Sequence, residues 1–146
     1  MAPATDAAIA DAYSATGPGW RDGPAVIYDR LAEVLVAHSP VPVSGAAVID
    51  IGAGTGAASF AALHAGARSV FAVDAAAGML AVDADRRPPS MVADANRLPF
   101  GPASFDLALA AFSLNHLADP AAGFLEAARI VRPGGAVVAS AYAADD

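Results

Sequence analysis

The chain has 146 residues and a formal net charge of -7, contains no cysteine, and draws its eight basic residues entirely from arginine. That length suits one domain with a buried core. The missing cysteine excludes disulfides, thiolate metal sites and a cysteine nucleophile; the missing lysine excludes Schiff-base and pyridoxal chemistry on a side chain; and the negative charge disfavours non-specific binding to nucleic acid or an anionic membrane. The three histidines, His38, His64 and His116, are too scattered to suggest a metal site. The opening MAPATDAAIADAYS carries acids where a signal peptide needs a basic region, and no apolar run is long enough to span a bilayer, so a cytoplasmic location is expected.

Met1–Ser14 reads as a short helix with Thr5 or Asp6 as its cap and Tyr13 near its end. TGPGWRDGP, Thr16 to Pro24, reads as a loop holding the one tryptophan, Trp20, which suits a plug on the core better than a substrate lid. A second helix starts after Asp22-Gly23-Pro24, with Val26, Ile27, Leu31, Val34 and Leu35 as its apolar stripe, and ends at His38-Ser39-Pro40.

The most informative stretch is VIDIGAGTG, Val48 to Gly56. An apolar run reaches Asp50, then a turn Gly52-x-Gly54-x-Gly56, then the helical pattern Ala57, Ala58, Phe60, Ala61, Leu63. Strand, glycine turn and helix make the nucleotide-binding corner of a doubly wound α/β sheet: the glycines clear side chains from the ligand's path, and the helix's first N–H groups point at it. Gly52-x-Gly54-x-x-Ala57 also fits a dinucleotide fingerprint, but Asp50 puts a carboxylate where a cationic or amine-bearing ligand suits better than a pyrophosphate.

Further strands are expected at SVFAVD (Ser69–Asp74), Ser90–Ala93, FDLALAAF (Phe105–Phe112) and Ala136–Tyr142. Asp74 ends the second of these five strands, where it can accept from ribose hydroxyls, cap a helix over Ala75–Ala84, or both. Met79 and Leu80 read as core, with Met79 able to touch an adenine from the side. Asp94 follows the third strand, with adenine binding and turn capping equally open. Leu98-Pro99-Phe100-Gly101-Pro102 forbids a long crossover helix. His116, just past the fourth strand, is the one histidine placed for chemistry, although a loop role fits it as well. Asp119-Pro120 opens a helix with the stripe Phe124, Leu125, Ala128 and Val131, and Arg132-Pro133-Gly134-Gly135 stops it.

Together these pieces resemble the class I S-adenosylmethionine-dependent methyltransferases, notably the type 11 and ubiquinone/menaquinone-biosynthesis-like group. The matching motifs are Asp50 to Gly56; Asp74 with Met79-Leu80; Asp94-Ala95 with Leu98-Pro99-Phe100; Ser104-Phe105-Asp106; and Arg129 to Gly135. The resemblance implies a Rossmann-like, mainly parallel five-stranded sheet in the order 3-2-1-4-5, an N-terminal helical cap over residues 1–44, a cofactor-binding core over residues 45–146, and methyl transfer from S-adenosyl-L-methionine to a small molecule. It further implies that Gly52, Ala53 and Gly54 run along the cofactor's methionine part and that Asp50 helps hold its amino group. Asp74, with Ala75 beside it, would take the ribose, Asp94 and Ala95 would contact the adenine, and Phe112 and Ser113 would lie near the sulfonium. Tyr13 and Tyr28 fall where the family's N-terminal helices cover the cofactor.

Two positions depart from the family pattern. Ala76 stands where serine often follows the second-strand acid, and Asn115-His116 replaces a His-His pair, which weakens a general-base role for His116. The family's sheet continues to seven strands in the order 3-2-1-4-5-7-6, whereas the pattern here stops after the fifth. Strand five is therefore expected to be an apolar edge with one poorly covered face. This suits a dimer joined along that strand, one subunit of a split enzyme, or a fragment. A non-catalytic cofactor-binding or scaffold subunit is the rival expectation; a nicotinamide-dependent oxidoreductase fits poorly, because no lysine is available for a tyrosine–lysine pair.

Overall fold

The computed structural model describes residues 5–143. Met1 to Ala4 of the expected first helix, and the outer limits of both expected units, lie outside these residues. β1 (Ala47–Ile51) anchors the fold, because Val48, Ile49, Asp50 and Ile51 are all fully buried. A strand buried on both faces is what a parallel sheet demands. β2 (Ser69–Asp74) and β4 (Phe105–Ala111) flank it, β3 (Ser90–Val92) pairs outside β2, and β5 (Val131–Ser140) pairs outside β4. All the pairings are parallel and the order is β3-β2-β1-β4-β5, as the family resemblance implies.

Alternate side chains of the strands feed two cores. On one face Val48, Val70, Leu107 and Leu109 meet α2 (Ala25–Ala37) and α3 (Ala57–His64). On the other Ile49, Ile51, Val73, Ala108 and Ala110 meet Leu98, Leu114 and α5 (Pro120–Ile130). Asp119 caps α5 by accepting from the Ala122 N–H at 3.1 Å, with Pro120 in the first turn, as its sequence dictates. Among the described residues no helix is long and apolar enough to cross a membrane.

Several expectations need correction. The segment TGPGWRDGP is not a loop: α1 runs from Asp6 to Asp22, capped by Thr5, whose hydroxyl accepts from the Ala8 N–H. Tertiary contacts override the glycine and proline signals here. α1 crosses α4 (Ala77–Leu80) so closely that a Cβ on Gly17 would lie 2.6 Å from the Gly78 carbonyl oxygen. The Ser14 hydroxyl accepts from the Gly78 N–H at 3.1 Å, and Arg21 pairs with Asp83. α4 itself is much shorter than the Ala75–Ala84 helix expected, because Asp83 adopts a left-handed φ of 52° and turns the chain back.

The buried faces of two helices differ from the expected apolar stripes, in part for α2, where Leu35 is buried as expected, and more fully for α5. α2 buries Ala25, Ala32, Leu35 and Val36 and exposes Val26, Ile27 and Val34; α5 buries Gly123, Ala127 and Ile130 and exposes Phe124 and Leu125. Small residues face the sheet because they let each helix lie close to it. Strand five also begins earlier than expected. α5 passes directly into it at Val131, and the pairing skips from Phe105↔Val131 to Leu107↔Ala136, so Arg132 to Gly135 form an irregularity before the expected Ala136 start. β5 is the sheet edge, but Gly135 to Ser140 are half-buried. The exposed apolar surface expected on the strand sits instead on α2 and α5, the helices packed against it.

Candidate cofactor site

The carboxyl ends of β1 to β4 and the inner side of α1 enclose a cavity of about 480 Å³. All thirteen residues singled out from the sequence line it: Tyr13, Tyr28, Asp50, Gly52, Ala53, Gly54, Asp74, Ala75, Met79, Asp94, Ala95, Phe112 and His116. The open end of a doubly wound sheet is where ligands bind, because the loops there diverge.

The glycine turn is fixed from below. The N–H groups of Gly52 and Ala53 donate to the Val73 carbonyl at 2.8 and 3.0 Å. Gly52 has a φ of 70°, and a Cβ there would collide with the Ser113 side chain, whose hydroxyl donates to the Ile51 carbonyl at 2.7 Å. Only glycine satisfies both constraints.

Asp74 settles the choice between cap and ligand contact only in part. Its Oδ1 accepts from the Ala76 N–H and its Oδ2 from the Gly54 N–H, each at 2.7 Å. Asp74 therefore caps its own turn and ties that turn to the glycine loop, while lone pairs remain on both oxygens. Burial raises its pKa against these hydrogen bonds and the Arg87 charge.

Asp50 is fully buried. Its Oδ2 accepts from the Ser59 hydroxyl at 2.7 Å, and its Oδ1 has no hydrogen-bond partner. Burial pushes its pKa up to about 6, with Ser59 and Arg87 pulling the other way and Asp74 adding to the rise. A buried carboxylate oxygen without a donor costs on the order of 1–3 kcal/mol. A ligand ammonium group would supply the missing donor. The donor set thus fits S-adenosylmethionine: an acid for an ammonium, an acid for hydroxyls, and a side-chain-free turn between them.

Part of the cavity wall is aromatic. Tyr13 and Trp20 of α1, Tyr28 of α2, Phe112 past β4 and His116 all line it. Their rings form a chain: His116–Tyr13 and Tyr13–Trp20 at 5.8 Å between centroids, Trp20–Tyr28 at 5.1 Å, Tyr28–Phe112 at 5.3 Å, and Phe112–Tyr142 at 4.8 Å. Phe112 holds its place at a φ of 51°, uncommon for a bulky residue and frequent at functional sites. Tyr13 Oη lies 3.3 Å from His116 Nε2, and burial raises the tyrosine's pKa. Tyr28 and Tyr142 share a hydroxyl hydrogen bond of 2.8 Å, which is the main cause that pushes Tyr28 up to about 12.

Met79 is buried, as core, and lines the cavity. Asp94 is exposed, and its Oδ1 accepts from the Asn96 N–H at 2.9 Å, the turn contact read for it. Trp20, expected as a core plug, lines the cavity instead; its being the chain's one tryptophan is the signal the sequence offers. Arg87, which no sequence motif singles out, is buried beneath the glycine turn. Nothing local marks it, because only the turn at Asp83 carries it there.

Fold and site together define a nucleotide-type cofactor site of the Rossmann-like class. A methyltransferase-domain family model matches residues 49–139. A demethylmenaquinone methyltransferase from Mycolicibacterium gilvum is 43% identical over 91 residues, 62% of this chain and 40% of that protein. The S-adenosylmethionine-dependent methyltransferase of Mesorhizobium loti is 31% identical, with a TM-score of 0.66 over 74% of this chain and 51% of that one. A chain from the complex between the Haloferax volcanii Trm112 methyltransferase activator and its methyltransferase is 28% identical, with a TM-score of 0.75 over 88% of this chain and 59% of that one. The chain belongs to the class I S-adenosylmethionine-dependent methyltransferase family. It spans less than half the length of the curated relatives it matches.

Proposed function

We propose that this chain carries the cofactor site for methyl transfer from S-adenosylmethionine to a small planar acceptor. The carrying observation is Asp50: a fully buried carboxylate with one unpartnered oxygen, in the wall of the cavity that the glycine turn and Asp74 also line. In this reading Asp50 holds the ammonium group, Gly52 to Gly54 flank the methionine part, Asp74 and Ala75 take the ribose, and Asp94, Ala95 and Met79 take the adenine. When bound, the cofactor supplies an electrophilic methyl group. The protein's work is then to place a nucleophile in line with it and to exclude water.

The acceptor belongs at the aromatic part of the wall, where Tyr13, Trp20, Tyr28 and Phe112 offer ring faces and edges. A quinol-like acceptor agrees with that wall and with the demethylmenaquinone methyltransferase among the relatives. His116 accepts the proton that leaves the acceptor, and the Tyr13 hydroxyl beside its Nε2 orients the ring. The division into a cap over residues 1–44 and a core over residues 45–146 belongs to this reading, as does a cytoplasmic location.

A second reading, a partner subunit or second copy pairing along β5, rests on a separate observation. β5 is a sheet edge, and the helices packed against it expose Val26, Ile27, Val34, Phe124 and Leu125. The chain is then one subunit of a dimer or split enzyme, or a scaffold. A monomer by light scattering, active alone, overturns it.

The test of the main reading is calorimetric titration with S-adenosylhomocysteine, with NADH as control. Binding of the former alone, lost in Asp74→Ala, supports the reading. Preference for NADH sinks it.

A further inference from the structure

Arg87 has no part in the reading above, yet its surroundings are unusual. Only 9% of the residue is exposed. One guanidinium nitrogen, Nη1, donates to the carbonyls of Met79 at 3.1 Å and Val82 at 3.5 Å. The other, Nη2, donates to the Gly54 carbonyl at 3.0 Å. The fork therefore spans two segments: the Met79 to Val82 stretch at and just past the end of α4, and the middle of the glycine turn. Gly54 is gripped on both sides, since its N–H is held by Asp74 and its C=O by Arg87. The Nε group is buried without a partner, so burying this arginine costs stability that a mere surface cap would not.

The backbone reaches this arrangement through strain. Asp83, at its left-handed φ, accepts from the N–H groups of Arg86 and Arg87 at 2.8 and 3.1 Å, and this tight turn swings Arg87 back beneath the loop. Charged groups face it from each neighbouring element: Asp50 from β1, Asp74 from β2, and Asp83 from its own turn, the last also paired with Arg21 of α1. All three acids favour the charged guanidinium against the burial that opposes it.

From this geometry we infer that Arg87 is the positioning residue of the cofactor loop, pinning the Gly54 carbonyl to the end of α4 so that the turn keeps its ligand-ready shape. The inference rests on the cofactor reading for its purpose, but not for its test. Lysine is no substitute, because a single ammonium cannot bridge two segments as the planar fork does.

The experiment uses the whole ligand-free chain and the variants Arg87→Lys and Arg87→Met, followed by amide hydrogen exchange. Expected is exchange about tenfold faster at the Gly54 and Gly56 amides in both variants, with β1 and β4 amides unchanged. Carboxyl NMR adds a second readout that a purely structural role would not move: the Asp50 and Asp74 titrations rise in Arg87→Met and stay near their wild-type positions in Arg87→Lys. Should Arg87→Met not fold, the loop exchange of Arg87→Lys decides alone. Unchanged loop exchange, or exchange accelerated equally through β1 and β4, overturns the inference. Loop exchange that responds as expected in a chain that binds no S-adenosylhomocysteine supports the inference and overturns the cofactor reading.

Discussion

Two pairs of acids sit at opposite ends of one sheet and behave in opposite ways. At the amino ends of the strands, Asp106 Oδ2 accepts from the Ala47 N–H at 2.8 Å and Oδ1 from Arg132 Nε at 2.5 Å. Nearby, Glu126 takes Arg129 and the Leu98 N–H, while Arg129 reaches the carbonyls of Phe100 and Leu98. Backbone and arginine donors hold both acids below the ordinary carboxylate range. At the carboxyl ends, Asp50 and Asp74 are held above that range by burial. The first pair is half-solvated and satisfied, and it fastens the strand starts and the Leu98–Phe100 crossover. Asp50 of the second pair is fully buried and one donor short, while Asp74 is held by two backbone N–H groups yet raised by burial. Charge kept buried and under-satisfied costs stability, so its place in a cavity wall marks the end of the sheet that awaits a ligand.

The contrast breaks most visibly at Asp74. Asp74→Ala removes the acceptor of two backbone N–H groups and the proposed partner of the ribose hydroxyls together, so S-adenosylhomocysteine affinity is expected to fall about 100-fold or more, measured by calorimetry. Asp50→Asn is expected to cost about tenfold in affinity, since a charge-assisted contact becomes a neutral one. It should also melt no lower than the native chain at pH 8, because it removes a buried charge. A variant that loses stability without losing affinity would make Asp50 merely structural. Asp106→Asn should do the reverse: stability falls by about 1 kcal/mol in urea unfolding while affinity is unchanged. The smallest effect is expected for Tyr13→Phe, a change of about threefold or less in S-adenosylhomocysteine affinity, because its hydroxyl faces His116 in the aromatic part of the wall.

Acid sharpens the comparison because the two ends carry opposite signs. Asp50 has a folded pKa raised to about 6, so the folded state binds the extra proton; its stabilising contribution is present in acid and is lost as pH rises towards and through 6. Asp106 and Glu126 have lowered folded pKa values, so their contribution is present at neutral pH and is lost as pH falls below the ordinary carboxylate range. Melting curves of the native chain and Asp50→Asn across pH 4 to 8 separate the two, and only the native chain should lose stability through pH 6. Binding adds a matching sign. An ammonium ligand favours the ionised Asp50, so affinity should weaken below about pH 6, with proton release on binding, and Asp50→Asn should flatten both.

Much of the site was legible because it is local. The glycine turn, the acid before it and the acid ending β2 lie within or beside single motifs, and a strand–turn–helix unit fixes where they go. The same locality made Asp119-Pro120 readable as a helix start. Periodicity misled at α2 and α5, where large side chains such as Ile27 and Leu125 look like core but alanine and glycine face the sheet. Composition misled at α1, where Gly17-Pro18-Gly19 reads as a breaker, yet Gly17 is what lets the helix press on α4.

By itself, then, the sequence determined the buried parallel strands and the ligand end, because strand burial, glycine turns and caps are written in neighbouring residues, while the strand order came through the family resemblance of its motifs. Tertiary structure alone decided that Tyr13, Trp20 and Tyr28 join Phe112 and His116 in one wall, and that Arg87 lies beneath the glycine turn. Those contacts join residues distant in the chain, and only the packing of α1 on α4 and the strained turn at Asp83 bring them within reach.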